Sequence, residues 1–486
     1  MPCTTILVGS KASNDGSTMI ARTDDGRFDT KKWIVVEPKD QPRTYTSVLS
    51  HVTVELPDNP MRYTSCPNVE AGRGTWAATG INAANVGMTA TETITSNPRV
   101  LAADPLIEYT PAKGRKKAVP GGIGEEDIVV LVLPYIHTAR EGVLRLASLL
   151  EQYGTYESNG IAFNDEHEVW WMETIGGHHW MARRVPDEVV VIMPNQFGMD
   201  AFDFDDAFGA QKAHLCSADL REFIRDNNLD TNQAGRVNPR DIFGSHTDMD
   251  HIYNTPRAWF IGRYLTPFSH TWEGEGAEFT LESDNIPWSL VPDRKVAVED
   301  MKYMLSGHYQ GTPFDPYAGH DTGMRGRYRS IGINRTDVTS ICQIRPYAPE
   351  AVKGLEWVCF GPTSFNSLLP LYPCVAKMPK YVSRVSDQAS TEDFYWSSVL
   401  IGALADAHFP DTIQLVGRYQ EAMMVRSRKL VSEYDAKIAE TGDASLAAEA
   451  NEKLCAMAKE ETTKALTNVA KAARSLMKNG FKLADH

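Results

Sequence analysis

The sequence predicts an α+β protein with antiparallel sheet and a helical C-terminal arm. Three observations carry this expectation. The chain opens on MPCTTILVGSKASNDGSTMIARTDD, two β-rich runs around a turn-forming segment. Residues 160–194 hold four short apolar runs separated by turns, the spacing of antiparallel strands. From about residue 390 the apolar period lengthens to three or four, and Ala, Glu and Lys dominate.

Taken in order, Thr4 to Gly9 and Thr18 to Arg22 are strands, joined through Asn14-Asp15-Gly16. WIVVE (33–37), TWAATGI (75–81) and VGMTATETI (86–94) are further strands, with Asn82 to Asn85 as a tight turn between the last two. Residues 101–120 are loop. A helical segment begins at Glu125-Glu126-Asp127 and runs, interrupted at Pro134, to about Tyr153. GIAFND (160–165), EVWWMET (168–174), HWMARRV (179–185) and EVVVIMP (188–194) form a meander. Residues 211–226 and 254–265 read as helices, and 330–375 returns to strand. Ser390 caps a helix from Thr391 to about Ala407, and residues 411–439 and 444–478 are long amphipathic helices joined at Thr441-Gly442-Asp443. Their apolar stripe, with Leu430, Tyr434 and Ile438 in the first and Leu466, Val469, Ala473 and Leu476 in the second, packs on the body or in an oligomer interface.

The totals exclude several classes. The 486 residues carry a net charge of −14, which disfavours nucleic acid or an anionic membrane as partner. No apolar run is long enough for a transmembrane helix, and no signal peptide is recognisable. Seven cysteines at wide spacing, with no CxxC, argue against a zinc ribbon or disulfide framework and for a reducing cytoplasm.

The hairpin brings chemistry together. The start of its first strand lies beside the end of its second, so Cys3 faces Arg22, Thr23, Asp24 and Asp25. A cation beside a thiol favours the nucleophilic thiolate. A free α-amine, with a pKa of about 7.7–8.0, is a general base near neutral pH. A carboxylate can orient that amine. The arrangement requires Cys3 to be the first residue of the mature chain.

This opening resembles that of the dipeptidase family of N-terminal nucleophile cysteine hydrolases, related to secernins and more distantly to choloylglycine hydrolases and penicillin V acylases. The resemblance continues in GINAANVGMTATETI (80–94), ADPLIEY (103–109), GIGEEDIVVLVLPYIHTAREGV (122–143), GIAFNDEHEVWWMETIGGHHWMARRVPDE (160–188), MPNQF (193–197) and FDFDDAF (202–208). It implies a four-layer αββα fold with two antiparallel sheets between helices. The catalytic domain would span residues 3–389, with residues 1–2 a removed propeptide and 390–486 a helical extension. It implies a cysteine-type dipeptidase that needs no cofactor and no metal. Cys3 matches the nucleophile, Arg22 the neighbouring arginine, Asp25 the aspartate that anchors the free amine, Asn195 the oxyanion asparagine and Arg257 a later active-site arginine. Where the acylase relatives carry another asparagine, this chain has Thr91 or Glu92. Backbone amides then serve that half of the oxyanion hole, and Glu92 suits the ammonium of a dipeptide. The rival readings are an amidase of the same chemistry, acting on conjugated bile acids or penicillin V, and a non-catalytic secernin-like regulatory protein. Peptides are the expected partners, with a homo-oligomer as the alternative role of the arm.

Other signals read as structural. His178 and His179, adjacent on a strand, point to opposite faces and do not share an ion. Asp203, Asp205 and Asp206 lack the rest of an EF-hand loop and read as capping or solvated. Trp170 and Trp171 read as core. PGGIG (120–124) lacks the GKS/T ending of a phosphate loop, and no GxSxG elbow supports Ser217 as a nucleophile.

Overall fold

A computed structural model describes residues 3–26, 29–233, 237–320 and 323–478. The expected cut after Pro2 lies outside these residues. The described chain is α+β, with two large antiparallel sheets, two small two-stranded sheets and helices.

The opening hairpin lies at the centre of the larger sheet. Its strands are Cys3–Val8 and Thr18–Asp24. The turn is fixed by Asp15, whose Oδ1 accepts from Ser17 N at 3.0 Å and Ser13 Oγ at 2.9 Å, while Gly16 takes φ +82°. Both strands are buried along their whole length. The seven strands run in the order Ser289–Leu290, Val190–Met193, Cys3–Val8, Thr18–Asp24, Val338–Ile344, Gly354–Phe360 and Leu369–Leu371. The six-stranded sheet runs His214–Cys216, His179–Val185, Val169–Ile175, Asn159–Asn164, Gly87–Thr93 and Thr79–Ile81.

Apolar side chains sort by face. Leu7, Ile20 and Cys342 of the larger sheet meet Ala162, Trp171 and Met181 of the smaller. Ile6, Val8, Met19 and Ala21 point the other way, toward Trp259, Met301 and the arm residue Leu454. The far face of the smaller sheet buries Met88, Phe163 and Trp170 against the helices Ile128–Val132 and Ala139–Tyr153. Trp170 and Trp171 are thus core on opposite faces, each side chain of this kind contributing about 1.5–3 kcal/mol.

Four sequence expectations are corrected. Val190–Met193 does not continue the meander but crosses to the larger sheet beside Cys3–Val8. Its residues are apolar on both faces and all buried, which suits an interior position there. Residues 211–226 are not one helix: the Asp206 carboxylate accepts from the backbone of Lys212, Ala213 and His214, holding them out of a helix. The segment gives the strand His214–Cys216 and a helix only from Leu220. The helix expected from Glu125 starts at Ile128, since residues 125–127 form a turn that buries their acids. The helix assigned to a Ser390 cap starts at Phe394, capped by Asp393, whose side chain accepts from Trp396 N at 2.8 Å.

The arm helices Phe409–Thr441 and Leu446–Ser475 pack against each other and against the last strand of the larger sheet. Gly442 closes the first with φ +70°. Asn451 bonds the backbone of Tyr372 in both directions, at 2.8 and 2.9 Å, and Arg345 pairs with Asp435 at 2.6 Å. No helix among the described residues is long and apolar enough to cross a membrane.

Candidate active site

Strand register explains how Cys3 acquires its neighbours. Cys3 is paired with Asp24, and Thr5 with Arg22. In a strand, alternate residues share a face, so Cys3 and Thr5 project with Arg22 and Asp24 into the polar end of the space between the sheets. The Arg22 Nη2 lies 3.0 Å from Cys3 Sγ. The same nitrogen donates to Asp24 Oδ1 at 3.2 Å and to the Glu125 carboxylate, while Nη1 donates to the carbonyls of Ala78 and Ala90. Lys31 Nζ reaches the other oxygen of Asp24 at 3.3 Å. The sulfur and one oxygen each of Asp24 and Glu125 lie within 4.8 Å of one another, close enough to share a cation. Arg22 already bonds to all three.

The electrostatics follow from burial. Burial pushes the Asp24 carboxyl up, but Lys31 and Arg22 outweigh it and leave it below the usual carboxylate range. Burial raises the Cys3 thiol well above its ordinary value; Arg22 pulls it back, and the charges of Glu92, Glu125 and Asp24 add to the rise. Cys3 is 0% exposed here.

On the backbone side, Cys3 N donates to Asn195 Oδ1 at 3.0 Å. Asn195 follows the strand Val190–Met193, and that strand's pairing with Thr5–Val8 delivers it. Its Oδ1 also accepts from Arg257 Nη2 at 2.8 Å, and its Nδ2 donates to Thr93 O at 2.9 Å. Arg257 projects from the helix Thr255–Leu265; its Nη1 bonds the Cys3 carbonyl and, at 2.7 Å, Thr4 Oγ1. Burial and then the like charge of Arg329 bring the Arg257 guanidinium down to about 9.

Asp25 is buried one residue beyond the hairpin pair. Its carboxylate takes Thr336 Oγ1 at 2.6 Å, Thr23 Oγ1 at 3.2 Å and the guanidinium of Arg329. It reaches the first strand through Thr23, whose Oγ1 also accepts from the backbone N of Thr4, the residue after Cys3, at 3.1 Å.

Thr91 and Glu92 lie on the strand Gly87–Thr93, where the pairing with Asn159–Asn164 slips between Ala90 and Glu92. Glu92 is fully buried; its Oε2 accepts from Thr5 Oγ1 at 2.7 Å, and its Oε1 has no hydrogen-bond partner among the described residues. Thr91 Oγ1 is likewise buried and unpartnered. Burial pushes the Glu92 carboxyl up to about 8 against the pull of Arg257.

The structure therefore gathers Cys3, Arg22, Asn195, Arg257 and Glu92 around one point and keeps Asp25 at one remove. Sequence reasoning missed Glu125, Lys31 and Arg329. Glu125 had a signal: three acids in a row before an apolar helix are read as a solvated start, yet all three are buried. Glu126 accepts from Ser47, Val48 and Leu49, and Asp127 from Gly124 N. His178 and His179 depart from expectation as well. His178 sits in the turn before the strand, so both rings converge on Asp104, at 3.1 and 2.7 Å. Asp203 caps a short helix, the first of the two structural roles, capping or solvated, expected for this acidic run.

Comparison with known proteins adds the following. The model of peptidase family C69 matches residues 2–422. The chain is 48% identical to a protein named dipeptidase from Bifidobacterium longum (strain NCC 2705), over all of both chains. It is 47% identical to probable dipeptidase A of Streptococcus pyogenes serotype M3, again over the full length of both. It is 41% identical to probable dipeptidase B of Lactococcus lactis subsp. lactis, over 99% of this chain and 98% of that one.

Proposed function

The chain belongs to peptidase family C69, and from that premise we propose that it is a cysteine-type dipeptidase, which hydrolyses dipeptides to free amino acids. The observation that carries the chemistry is the guanidinium of Arg22 held 3.0 Å from Cys3 Sγ by two buried carboxylates.

In this reading Met1 and Pro2 are removed, so that the Cys3 nitrogen becomes an α-amine. Its present acceptor, Asn195 Oδ1, would orient that amine, and Asp25 would support it through Thr23. The thiol proton passes to the amine as sulfur attacks the peptide carbonyl carbon. Arg22 stabilises the thiolate. A second N–H of Asn195 and backbone amides hold the oxyanion, a donor of this kind being worth about 3–4 kcal/mol. The amine then gives its proton to the leaving amino acid, and a thioester remains. Water, deprotonated by the same amine, releases the second amino acid and restores the thiol. Arg257 positions both the Cys3 carbonyl and Asn195. Glu92, with an unpartnered buried oxygen beside the thiol, accepts the substrate's α-ammonium, and the arriving cation ionises it.

The sorting of core side chains onto both faces of each sheet supports the four-layer αββα arrangement over residues 3–389, with 390–486 as an extension. Seven free cysteines support a cytoplasmic location.

The test is release of amino acids from a dipeptide panel, beside glycocholate and penicillin V, together with the intact mass of the active species. Dipeptide turnover by a chain starting at Cys3 is expected. Cys3→Ser should fold and lose activity by roughly three orders of magnitude or more. Full activity in a chain still carrying Pro2 sinks the α-amine mechanism, and turnover of the amides alone sinks the dipeptidase.

A further inference from the structure

A cavity of about 390 Å³ opens between the larger sheet and the arm helix Phe394–Ala407. Its volume lies in the range of small-ligand sites. Thr336 and Asp337 form one wall; Phe365, Tyr395, Trp396 and Asp406 contribute others. Val338 is paired with Asp24, and Asp24 with Cys3, so Asp337 stands one residue beyond the row that carries the thiol.

Asp337 is only 3% exposed, and its Oδ2 has no hydrogen-bond partner among the described residues. The nearest buried amine, that of Lys31, is committed to Asp24 Oδ2 at 3.3 Å and Trp76 O at 2.9 Å. Three buried acids, Asp24, Asp29 and Asp337, thus surround one lysine. Burial, and then the charge of Asp24, raise the Asp337 carboxyl to about 9 against the pull of Lys31. Asp24 is met by both Lys31 and Arg22, and Asp29 by Arg73 at 3.4 Å, so Asp337 is the one of the three with no ion pair among the described residues, beside a cavity walled by aromatic rings. A carboxylate with aromatic faces around it is the setting that recognises an organic ammonium.

We propose that this cavity binds a primary ammonium group on a short aliphatic body, with Asp337 as its anionic partner and the rings of Tyr395 and Trp396 around it. Binding ionises the Asp337 carboxyl, and its proton leaves to solvent. Two sources have this chemistry, a lysine side chain of a substrate and a free amine. The wall is linked to the residues beside Cys3: Thr336 Oγ1 donates to Asp25 at 2.6 Å, and Asp337 N to Asp24 O at 2.8 Å. The substrate source rests on the dipeptidase reading; the free amine does not.

The full chain is titrated with n-butylamine by calorimetry in two buffers of different ionisation enthalpy. In parallel, kcat/KM is compared for dipeptides of lysine and of norleucine. Saturable binding with proton release is expected, weakened roughly tenfold or more in Asp337→Asn. Ala403→Phe, at an exposed lining position that tolerates a ring without disturbing the core, should weaken it similarly. A lysine preference that falls to parity in both variants assigns the cavity to the substrate side chain. Amine binding without such a preference assigns it to a free amine. Absence of both binding and preference overturns the proposal, as does binding unchanged in both variants or an equal heat from potassium chloride. A wild-type enzyme that cleaves no dipeptide defeats the dipeptidase reading and leaves the butylamine titration to decide this one.

Discussion

Two buried glutamates flank Cys3 in opposite circumstances. Glu125 is engaged: its carboxylate holds Arg22, and its backbone nitrogen donates to Glu157 at 2.7 Å. Glu92 is half engaged, with one oxygen on Thr5 and the other on nothing among the described residues. Both are near enough for their charge to act on the Cys3 thiol. The difference separates two kinds of work. The Arg22 guanidinium is already paired through both terminal nitrogens in the resting protein and holds charge beside the Cys3 thiol. The Glu92 wall has an oxygen unmet, and an unmet buried acceptor costs about 1–3 kcal/mol, a cost that the proposed ammonium would remove.

Breaking the paired wall, that of Arg22, should have the larger effect on folding. Glu125→Ala leaves the buried guanidinium with one carboxylate fewer, and urea denaturation should show a loss of about 3 kcal/mol. A loss under 1 kcal/mol would mean that Asp24 suffices.

Glu92→Gln should spare folding and strike selectivity. A fall of roughly tenfold to hundredfold in kcat/KM for free dipeptides is expected, with Nα-acetylated dipeptides unaffected. Equal losses on both substrates would remove the ammonium role. The same substitution sharpens the comparison through pH. The Glu92 carboxyl sits at about 8 in the folded protein and at about 4.3 in an unfolded chain. Its protonated form therefore adds stability that is complete below about pH 4 and lost as pH rises through 8. Unfolding free energies of Glu92→Gln should fall less steeply across that window than those of the parent.

Thr91→Val is the mildest change. It keeps the volume and removes a hydroxyl without a partner, so stability should stay within about 1 kcal/mol and dipeptide turnover within about twofold. A large loss of turnover would give the Thr91 hydroxyl a role at the reacting atoms.

What was legible in the sequence follows the range of the interactions. Cross-strand neighbours in a hairpin are set by a nearby turn, and so Cys3, Arg22 and Asp24 could be placed together from one segment. Asn195 and Arg257 came from likeness to a family, since nothing local in NQF or NTPRAWF points at a thiol. Lys31 and Arg329 had no such guide, and Glu125 only the run of acids in which it stands; all three reach the site from loops or turns whose side chains show no period. Val190–Met193 announced burial but not its sheet, because a run apolar on both faces fits either one. The misreading of 211–226 had a local cause, the side chain of Asp206 competing for backbone donors.

The place of Cys3–Val8 inside the larger sheet also has a consequence in time. The strand that flanks it on one side is Val190–Met193, and the hairpin's other strand is flanked by Val338–Ile344. Ribosomes add roughly 5–20 residues each second, so about 15–65 s pass between the emergence of Cys3 and that of Arg329. Through that interval the growing chain carries its thiol and Arg22, while Asn195 arrives after about two-fifths of the 486 residues and Arg257 just past half. A protein whose trade is cutting peptides thus has the surroundings of its buried thiol assembled only after about two-thirds of its own synthesis.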